Sequence, residues 1–342
     1  MHRALRLRLD EHALVANWRW LKRAAGVATG AAVKADGYGL GAREVVARLG
    51  NAGCRDFFVS TWAEAEAVGP LPAGAALSVL HGVGPEDLGA ALASGARPVL
   101  NTPQQVARWK QDAPGRPCDV MVDTGMNRLG LRTDEVHMLG GLAIETLMSH
   151  LACADEDNAM NAVQRDLFAA VAAAVPARRH SLANSAGVCL GRDFAFDLVR
   201  PGLALYGGIA RAEAAGHIAQ VVFPEAEVVQ RRLVRAGESV GYGATFIAPA
   251  DTEAAIVNVG YADGYLRCFA GSGSASFGGS ALPLIGRVSM DLVALDVGAA
   301  PELVEGDWVT LDYALPAAAS ASGLSQYELL TGLGPRFERR WS

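Results

Sequence analysis

Between residues 27 and 207 the chain switches repeatedly between short apolar runs of β character and longer stretches of helical character. The β runs fall at 27–33, 56–60, 75–81, 97–100, 118–123, 142–149, 179–183 and 203–206, eight in all. Helical stretches at 41–50, 85–94, 102–111 and 158–175 lie between them. Cap signals support some of these, with Thr102 before Pro103, and Thr133 before Asp134 and Glu135. Strands that alternate with helices imply crossover units and a parallel sheet. Eight such units in roughly 200 residues suit a closed (β/α)8 TIM barrel. An open doubly wound sheet is the alternative, but no GxGxxG follows the first run. In a barrel the chemistry sits at the C-terminal ends of the strands, so functional residues belong just after these runs.

From about residue 218 the texture changes. Strand-like segments at 226–234, 254–259, 281–287, 292–297 and 307–311 follow one another closely, punctuated by glycines at 271, 273, 278 and 279. This pattern reads as a smaller, mainly antiparallel β domain with one short helix near 325–330. The expected division is a barrel over residues 1–217 and a β domain over 218–342. The N-terminal ten residues alternate basic and apolar side chains, which suits a strand and lacks the continuous apolar core of a signal peptide.

Composition narrows the function classes. A chain of 342 residues that is 51% hydrophobic and 19% charged is not generally disordered. Its formal charge of -6 gives no electrostatic footprint for nucleic acid. No apolar run approaches the roughly 18 residues that span a bilayer. The five cysteines (Cys54, Cys118, Cys153, Cys189, Cys268) are odd in number and dispersed, without a CxxC. A disulfide framework or zinc site is not expected, and a reducing cytoplasm is the default location.

The first run ends in a lysine, Lys34, followed by the turn Asp36-Gly37-Tyr38-Gly39. A lysine at the end of a core strand either snorkels to solvent or has a partner or a depressed pKa. Taken alone, the snorkelling lysine is the commoner case. At a barrel mouth, a lysine of lowered pKa is able to form a Schiff base.

The segment from Val33 to Gly39 resembles the pyridoxal 5'-phosphate (PLP) motif of the alanine racemase family. Further segments match other motifs of that family, in the family's order. They are Asp123-Thr124-Gly125-Met126-Asn127-Arg128-Leu129-Gly130, Ser149 to Asp155, Asn184-Ser185-Ala186-Gly187, and Val199-Arg200-Pro201-Gly202 to Gly207. In the C-terminal part come Val240-Gly241-Tyr242-Gly243, Gly260-Tyr261-Ala262-Asp263-Gly264 and Gly286 to Asp291. Any one of these is weak; eight in collinear order over nearly the whole chain are specific.

The resemblance implies a barrel plus a β domain, PLP as cofactor, alanine as substrate, and a role in D-alanine supply for peptidoglycan or in D-alanine catabolism. It implies that Lys34 carries PLP and serves as one catalytic base. Tyr242 is then the second base, contributed by the partner in a homodimer with shared active sites. A phenol of ordinary pKa near 10 needs neighbouring positive charge or donors for that task. Arg200 would donate to the PLP ring nitrogen, and His150 would link Tyr242 to Arg200. Tyr38, Ser185 and the amides of Gly202 and Leu203 would hold the phosphate. Arg128 and the Met290 amide would hold the substrate carboxylate. Tyr261 either lines the access channel or simply packs.

Two positions depart from the pattern. Met121 stands where some members carry a carbamylated lysine that braces the substrate arginine. Pro335 stands where some members place a tyrosine near the phosphate and the channel. Competing readings are a serine or broad-specificity racemase, a non-catalytic PLP-binding barrel protein, and a decarboxylase of the same PLP fold type. Decarboxylases pair an acidic residue with the ring nitrogen, whereas the residue here is Arg200. The appended β domain carrying Tyr242 argues against the non-catalytic protein.

Overall fold

The computed structural model describes residues 2–342, so Met1 of the N-terminal strand reading lies outside the described residues. Strand β1 (Leu5–Leu9) alternates buried leucines with part-exposed Arg6 and Arg8, as the basic-apolar pattern requires. It is followed by α1 (Glu11–Ala25). The chain forms two compact units, one of Leu14–Ala219 and one of the residues up to Ala13 together with Gln220–Ser342. The first 13 residues therefore do not join the barrel, where the sequence reading had put them. The leucine face of β1 finds its partner in the β unit, through antiparallel pairing with Val222–Ala226.

In the first unit, β2 is split by Gly30 into Ala28–Thr29 and Ala31–Ala32. A Cβ at Gly30 would lie 2.7 Å from the Asp56 carbonyl oxygen, so the strands approach too closely there for any side chain. The ring continues through β3 (Asp56–Val59), β4 (Ala76–Val79), β5 (Arg97–Leu100), β6 (Pro117–Met121), β7 (Ala143–Met148) and β8 (Arg179–Ser181), all parallel. The eighth strand, β9 (Leu198–Val199), pairs with the first half of β2. Closure between β8 and β9 comes from Asp197 N donating to His180 O (3.0 Å) and Arg200 N to Ala183 O (2.9 Å). Phe58, Val99, Met121, Met148 and Leu198, from five of the strands, form one buried apolar cluster. Burying each such side chain contributes about 1.5–3 kcal/mol.

The expected eighth run, 203–206, is not a strand. Leu203–Tyr206 is a buried 3-10 turn ended by Gly207 at φ 96°. A four-residue apolar run looks alike in a buried strand and a buried turn. With Leu198–Val199 as the true eighth strand, Arg200 falls immediately after a strand end. Helices occupy the four expected stretches, as α2 (Ala42–Asn51), α4 (Leu88–Ala93), α5 (Pro103–Asp112) and α6 (Met160–Ala174), and the structure adds α3 (Trp62–Val68), which the sequence reading does not include. Thr102 caps α5, its hydroxyl accepting from Gln105 N at 3.2 Å. Thr133 caps nothing, because Glu135 folds back to accept from Arg132 N (2.9 Å) and only a 3-10 turn, Val136–Leu139, follows.

In the second unit the long β10 (Val222–Val234) is the spine. The other strands are β11 (Ser239–Val240), β12 (Phe246–Ile247), β13 (Thr252–Val257), β14 (Ser274–Phe277), β15 (Ser280–Ile285), β16 (Val293–Asp296), β17 (Trp308–Leu311) and β18 (Glu338–Trp341). Antiparallel pairing in the order β10-β13-β16-β15-β14-β17 returns to β10 and closes a six-stranded barrel. β1 and then β18 extend the sheet beside the first half of β10, the last pair being parallel. The sequence reading missed the short β11 and β12, the C-terminal β18, and β14, a hairpin partner with Ala275 as its one fully buried residue. The predicted short helix is Gln326–Thr331, opened by a Ser325–Glu328 capping box, but it is not alone: Leu315–Ser322 forms a second helix before it. Among the described residues no helix is long and apolar enough to cross a membrane.

Candidate active site

Lys34 follows directly on β2 and Val33. The backbone after it turns left-handed, with φ 51° at Ala35, 52° at Asp36, 64° at Gly37 and 56° at Tyr38. For residues other than glycine this conformation costs roughly 1–2 kcal/mol each. Fixed partners hold it. Gly37 N donates to Val33 O and Gly39 N to Ala35 O, both at 2.8 Å. The Asp36 carboxylate accepts from Ala42 N and Glu64 Oε1 from Ala35 N, also at 2.8 Å. Strain maintained in this way is characteristic of a functional loop. Burial, and then the positive charge of Arg128, hold the Lys34 amine below its ordinary pKa, against an opposing pull from Glu64.

The same turn buries Tyr38, whose ring stacks on Tyr206 at 4.7 Å. Its hydroxyl lies directly above Gly202, where a Cβ would sit 2.1 Å from Oη. Ser185, the first residue of the short helix α7 (Ser185–Cys189), turns its hydroxyl to the same place. Ser185 Oγ accepts from Gly202 N (3.0 Å) and Ala204 N (3.2 Å). Leu203 lies between these two amides and opens the 3-10 turn. Two hydroxyls and two backbone amides thus converge at a glycine whose missing side chain leaves room for the Tyr38 hydroxyl, and such a set of donors suits an anion.

Arg200 is buried. One guanidinium nitrogen donates to Ser149 O at 2.7 Å, and another to Ser181 Oγ. Burial lowers its pKa to about 10, which leaves it charged near neutrality. His150 is pushed down to about 3, by burial first and then by the charges of Arg200, Arg128 and Lys34. It is therefore neutral across the physiological range. Arg128 stands in the loop after β6. There Asp123 Oδ1 accepts from Gly125 N (2.8 Å) and Met126 N (2.9 Å), and Leu131 returns to pair with Met121 and Asp123. Arg200, Arg128 and Lys34 all act on the neutral His150, and Arg128 also acts on Lys34, a gathering of basic side chains that favours anionic ligands. Met121 brings no charge to it, being packed in the apolar cluster below.

The structure adds two residues that sequence reasoning missed. Glu64, from α3, accepts from Ser60 N (2.6 Å) as well as from Ala35 N, which ties the Lys34 turn to the end of β3. Gln164, from α6, is wholly buried and hydrogen-bonds Thr124, His150 and Ala152. A signal for Gln164 exists: Asn161, Gln164, Phe168 and Val171 form the buried stripe of α6, and two of the four are amides.

The remaining candidates belong to the β unit. Tyr242 sits between Gly241 and Gly243, at the tip of the β11–β12 hairpin, and is 69% exposed. Tyr261 and Met290 are held side by side in that unit. Tyr261 N donates to Ser289 O and Ala262 N to Met290 O, both at 3.0 Å. Arg336 clamps the buried Asp263 with two bonds (2.5 and 2.7 Å) and reaches Asp291 with a third (2.7 Å). Pro335, beside it, lines a separate small cleft with Arg3, Leu5 and Asn258. An open groove of about 940 Å³ runs past Tyr242, Arg287, Ser289 and Leu292.

A parallel barrel with a lysine of depressed pKa beside an anion cradle, followed by an antiparallel β barrel, defines a class of two-domain barrel enzymes. Sequence and structure comparisons place the chain within it. The alanine racemase N-terminal domain profile matches residues 9–210, and the C-terminal domain profile matches residues 221–341. A catabolic alanine racemase of Agrobacterium fabrum is 42% identical over 92% of this chain and 85% of its own length. A biosynthetic alanine racemase of the same organism is 39% identical over 98% and 93%. The crystal structure of alanine racemase from Bartonella henselae with covalently bound pyridoxal phosphate superposes with a TM-score of 0.91, at 34% identity and full coverage of both chains. The chain belongs to the alanine racemase family.

Proposed function

We propose that this protein is a PLP-dependent enzyme that interconverts L- and D-alanine by a two-base mechanism. The observation that carries this reading is the pairing of Lys34, its amine held below the usual lysine range, with the cradle of Tyr38, Ser185 and Gly202. The residues suit the cofactor on both counts. A neutral amine is the form that bonds to an aldehyde, and the cradle's donors suit a phosphate. When bound, PLP makes the Cα hydrogen of the attached amino acid acidic by delocalising the resulting charge.

The rest belongs to the protein. Lys34 Nζ and the Tyr242 phenolic oxygen face opposite sides of Cα; whichever is unprotonated takes the proton on its side, and the other, protonated, gives one on its own side. Arg128 and the Met290 amide bind the carboxylate. Arg200 keeps its proton, so it acts only as a donor to the ring nitrogen and weakens the electron sink. Reprotonation is then favoured over side reactions. His150, neutral, relays orientation between Tyr242 and Arg200 through its two ring nitrogens. Leu203 and Gly202 frame the phosphate with their backbone, and Tyr261 lines the access channel. Tyr242 comes from the second chain of a homodimer, consistent with its exposure on a glycine-flanked tip. The enzyme acts in the cytoplasm, in D-alanine supply for peptidoglycan synthesis or in D-alanine catabolism.

Lys34→Ala is expected to abolish both the visible band of lysine-linked PLP and racemisation. Tyr242→Phe is expected to retain the band, while slowing Cα hydrogen exchange from one enantiomer far more than from the other. Full activity in Tyr242→Phe defeats the two-base assignment.

A further inference from the structure

We propose that Gln164 is a positioning residue that sets the substrate-carboxylate arginine, Arg128, in register with His150 and Arg200. This rests on the assignment of those three residues to the active site. Gln164 touches none of the reacting atoms. Its carboxamide, fully buried on the inner face of α6, bridges the loops that follow two successive barrel strands, β6 and β7. Nε2 donates to the Thr124 hydroxyl (3.3 Å) and to the His150 carbonyl (3.0 Å), while Oε1 accepts from Ala152 N (2.9 Å).

Each arm leads to a site residue. Thr124 precedes Gly125 in the Asp123-capped turn, and that turn carries the chain to Arg128. The turn is packed against α6. Gly125 has φ 134°, and a Cβ there would come within 3.0 Å of Met160 Cε and 3.7 Å of Gln164 Cγ. The Thr124 hydroxyl also shares a hydrogen bond with Ser149 Oγ (2.8 Å). Ser149 O in turn receives the Arg200 guanidinium at 2.7 Å. The second arm fixes the backbone on both sides of Leu151, just after His150. One turn earlier on the same helix face, Asn161 Nδ2 extends this hold to Cys153 O (2.9 Å) and Glu156 O (3.1 Å).

The chemistry requires an amide at this position. Two donors and one acceptor are matched in a dry environment, where an unmatched polar group is costly. Glutamate would lack donors for the His150 carbonyl. Methionine keeps the volume but leaves Ala152 N and His150 O without partners. Positional errors of about 1 Å in such groups cost up to a hundredfold in rate.

The test uses the holoenzymes of Gln164→Met, Gln164→Glu, Thr124→Val and the double variant Thr124→Val/Gln164→Met. Four properties are read: the visible band of bound PLP, KM and kcat for alanine, and amide hydrogen exchange in residues 123–131 and 149–156. Gln164→Met is expected to keep the band, raise KM about tenfold, lower kcat, and speed exchange in both segments. Thr124→Val severs the arm toward Arg128 together with the hydroxyl's bond to Ser149 Oγ, and leaves the bonds of Gln164 to His150 and Ala152 in place. It should raise KM, lower kcat less than Gln164→Met does, and speed exchange in 123–131 but not in 151–156. The double variant should have the KM of Gln164→Met, because both changes break one link. Parent-like KM and exchange in Gln164→Met overturn the proposal, as do additive effects on KM in the double variant. If Gln164→Met does not fold, Thr124→Val decides, and a parent-like KM there overturns it. Failure of the functional reading is separable, since it shows in the parent protein as absent racemisation or in Lys34→Ala as a retained band.

Discussion

A histidine surrounded by three positive charges folds in its neutral form. His150 titrates at about 3, whereas a free histidine takes up its proton near 6.5. The sign of the consequence follows. Below pH 6.5 the unfolded chain binds a proton that the folded chain refuses, so stability falls as the pH falls toward 3. At pH 5 the loss from this one residue is about 2 kcal/mol, at 1.36 kcal/mol per pH unit. His150→Gln, which cannot ionise, should lose correspondingly less stability between pH 7 and pH 5, measured as the shift in thermal midpoint. Equal shifts in both proteins would contradict the depressed pKa. Such environments are only partly legible in sequence. Lys34, Tyr38, Ser185 and Arg200 stand in local motifs, and the residue type already limits the chemistry. Glu64 acts on Ala35 N, 29 positions away, and Gln164 on the Thr124 hydroxyl, 40 positions away, so their local patterns, a capping-box glutamate and an amide on the buried stripe of α6, do not name these partners.

At the scale of elements, the anion cradle depends on a strained turn meeting a glycine. Tyr38 is carried by four successive residues of positive φ, and its hydroxyl occupies the space that a side chain at position 202 would need. Gly202→Ala must therefore push the Tyr38 ring away or move the amides at 202 and 204. Either movement weakens charge-assisted hydrogen bonds of about 1.5–3 kcal/mol each. A ten- to hundredfold loss in PLP affinity is expected, roughly the same energy expressed as binding. Titration of the visible band against added PLP measures it, and unchanged affinity would refute the cradle. The element reading of the sequence failed at this spot for a related reason. Leu203–Tyr206 is apolar because it is buried as a turn beneath the cradle, and burial alone does not distinguish a turn from a strand. Elsewhere the alternation of runs located seven barrel strands correctly, since most of the buried runs are separated by helices; only a 3-10 turn, Val136–Leu139, lies between β6 and β7.

At the scale of the whole molecule, the two ends of the chain are neighbours in the β unit, where β1 lies between β10 and β18. The sequence pattern showed β1 to be a strand but not its sheet, because alternation marks a buried face without naming its partner. The site residues also divide between the units: Lys34, Tyr38, Arg128, His150, Ser185, Arg200, Gly202 and Leu203 in one, Tyr242, Tyr261 and Met290 in the other. If each active site draws its barrel from one chain and its Tyr242 from another, defects in the two units should complement. Lys34→Ala and Tyr242→Phe homodimers are each defective at both sites. A mixed dimer has one doubly defective site and one site with both native residues. Random pairing at equal amounts makes about half the dimers mixed, each with one intact site of two, so about one quarter of parent activity should return. Subunits exchanged by mild denaturation and refolding, then assayed against each homodimer refolded alone, provide the measurement. No recovery in demonstrably mixed dimers would mean that Tyr242 serves its own chain, or none at all.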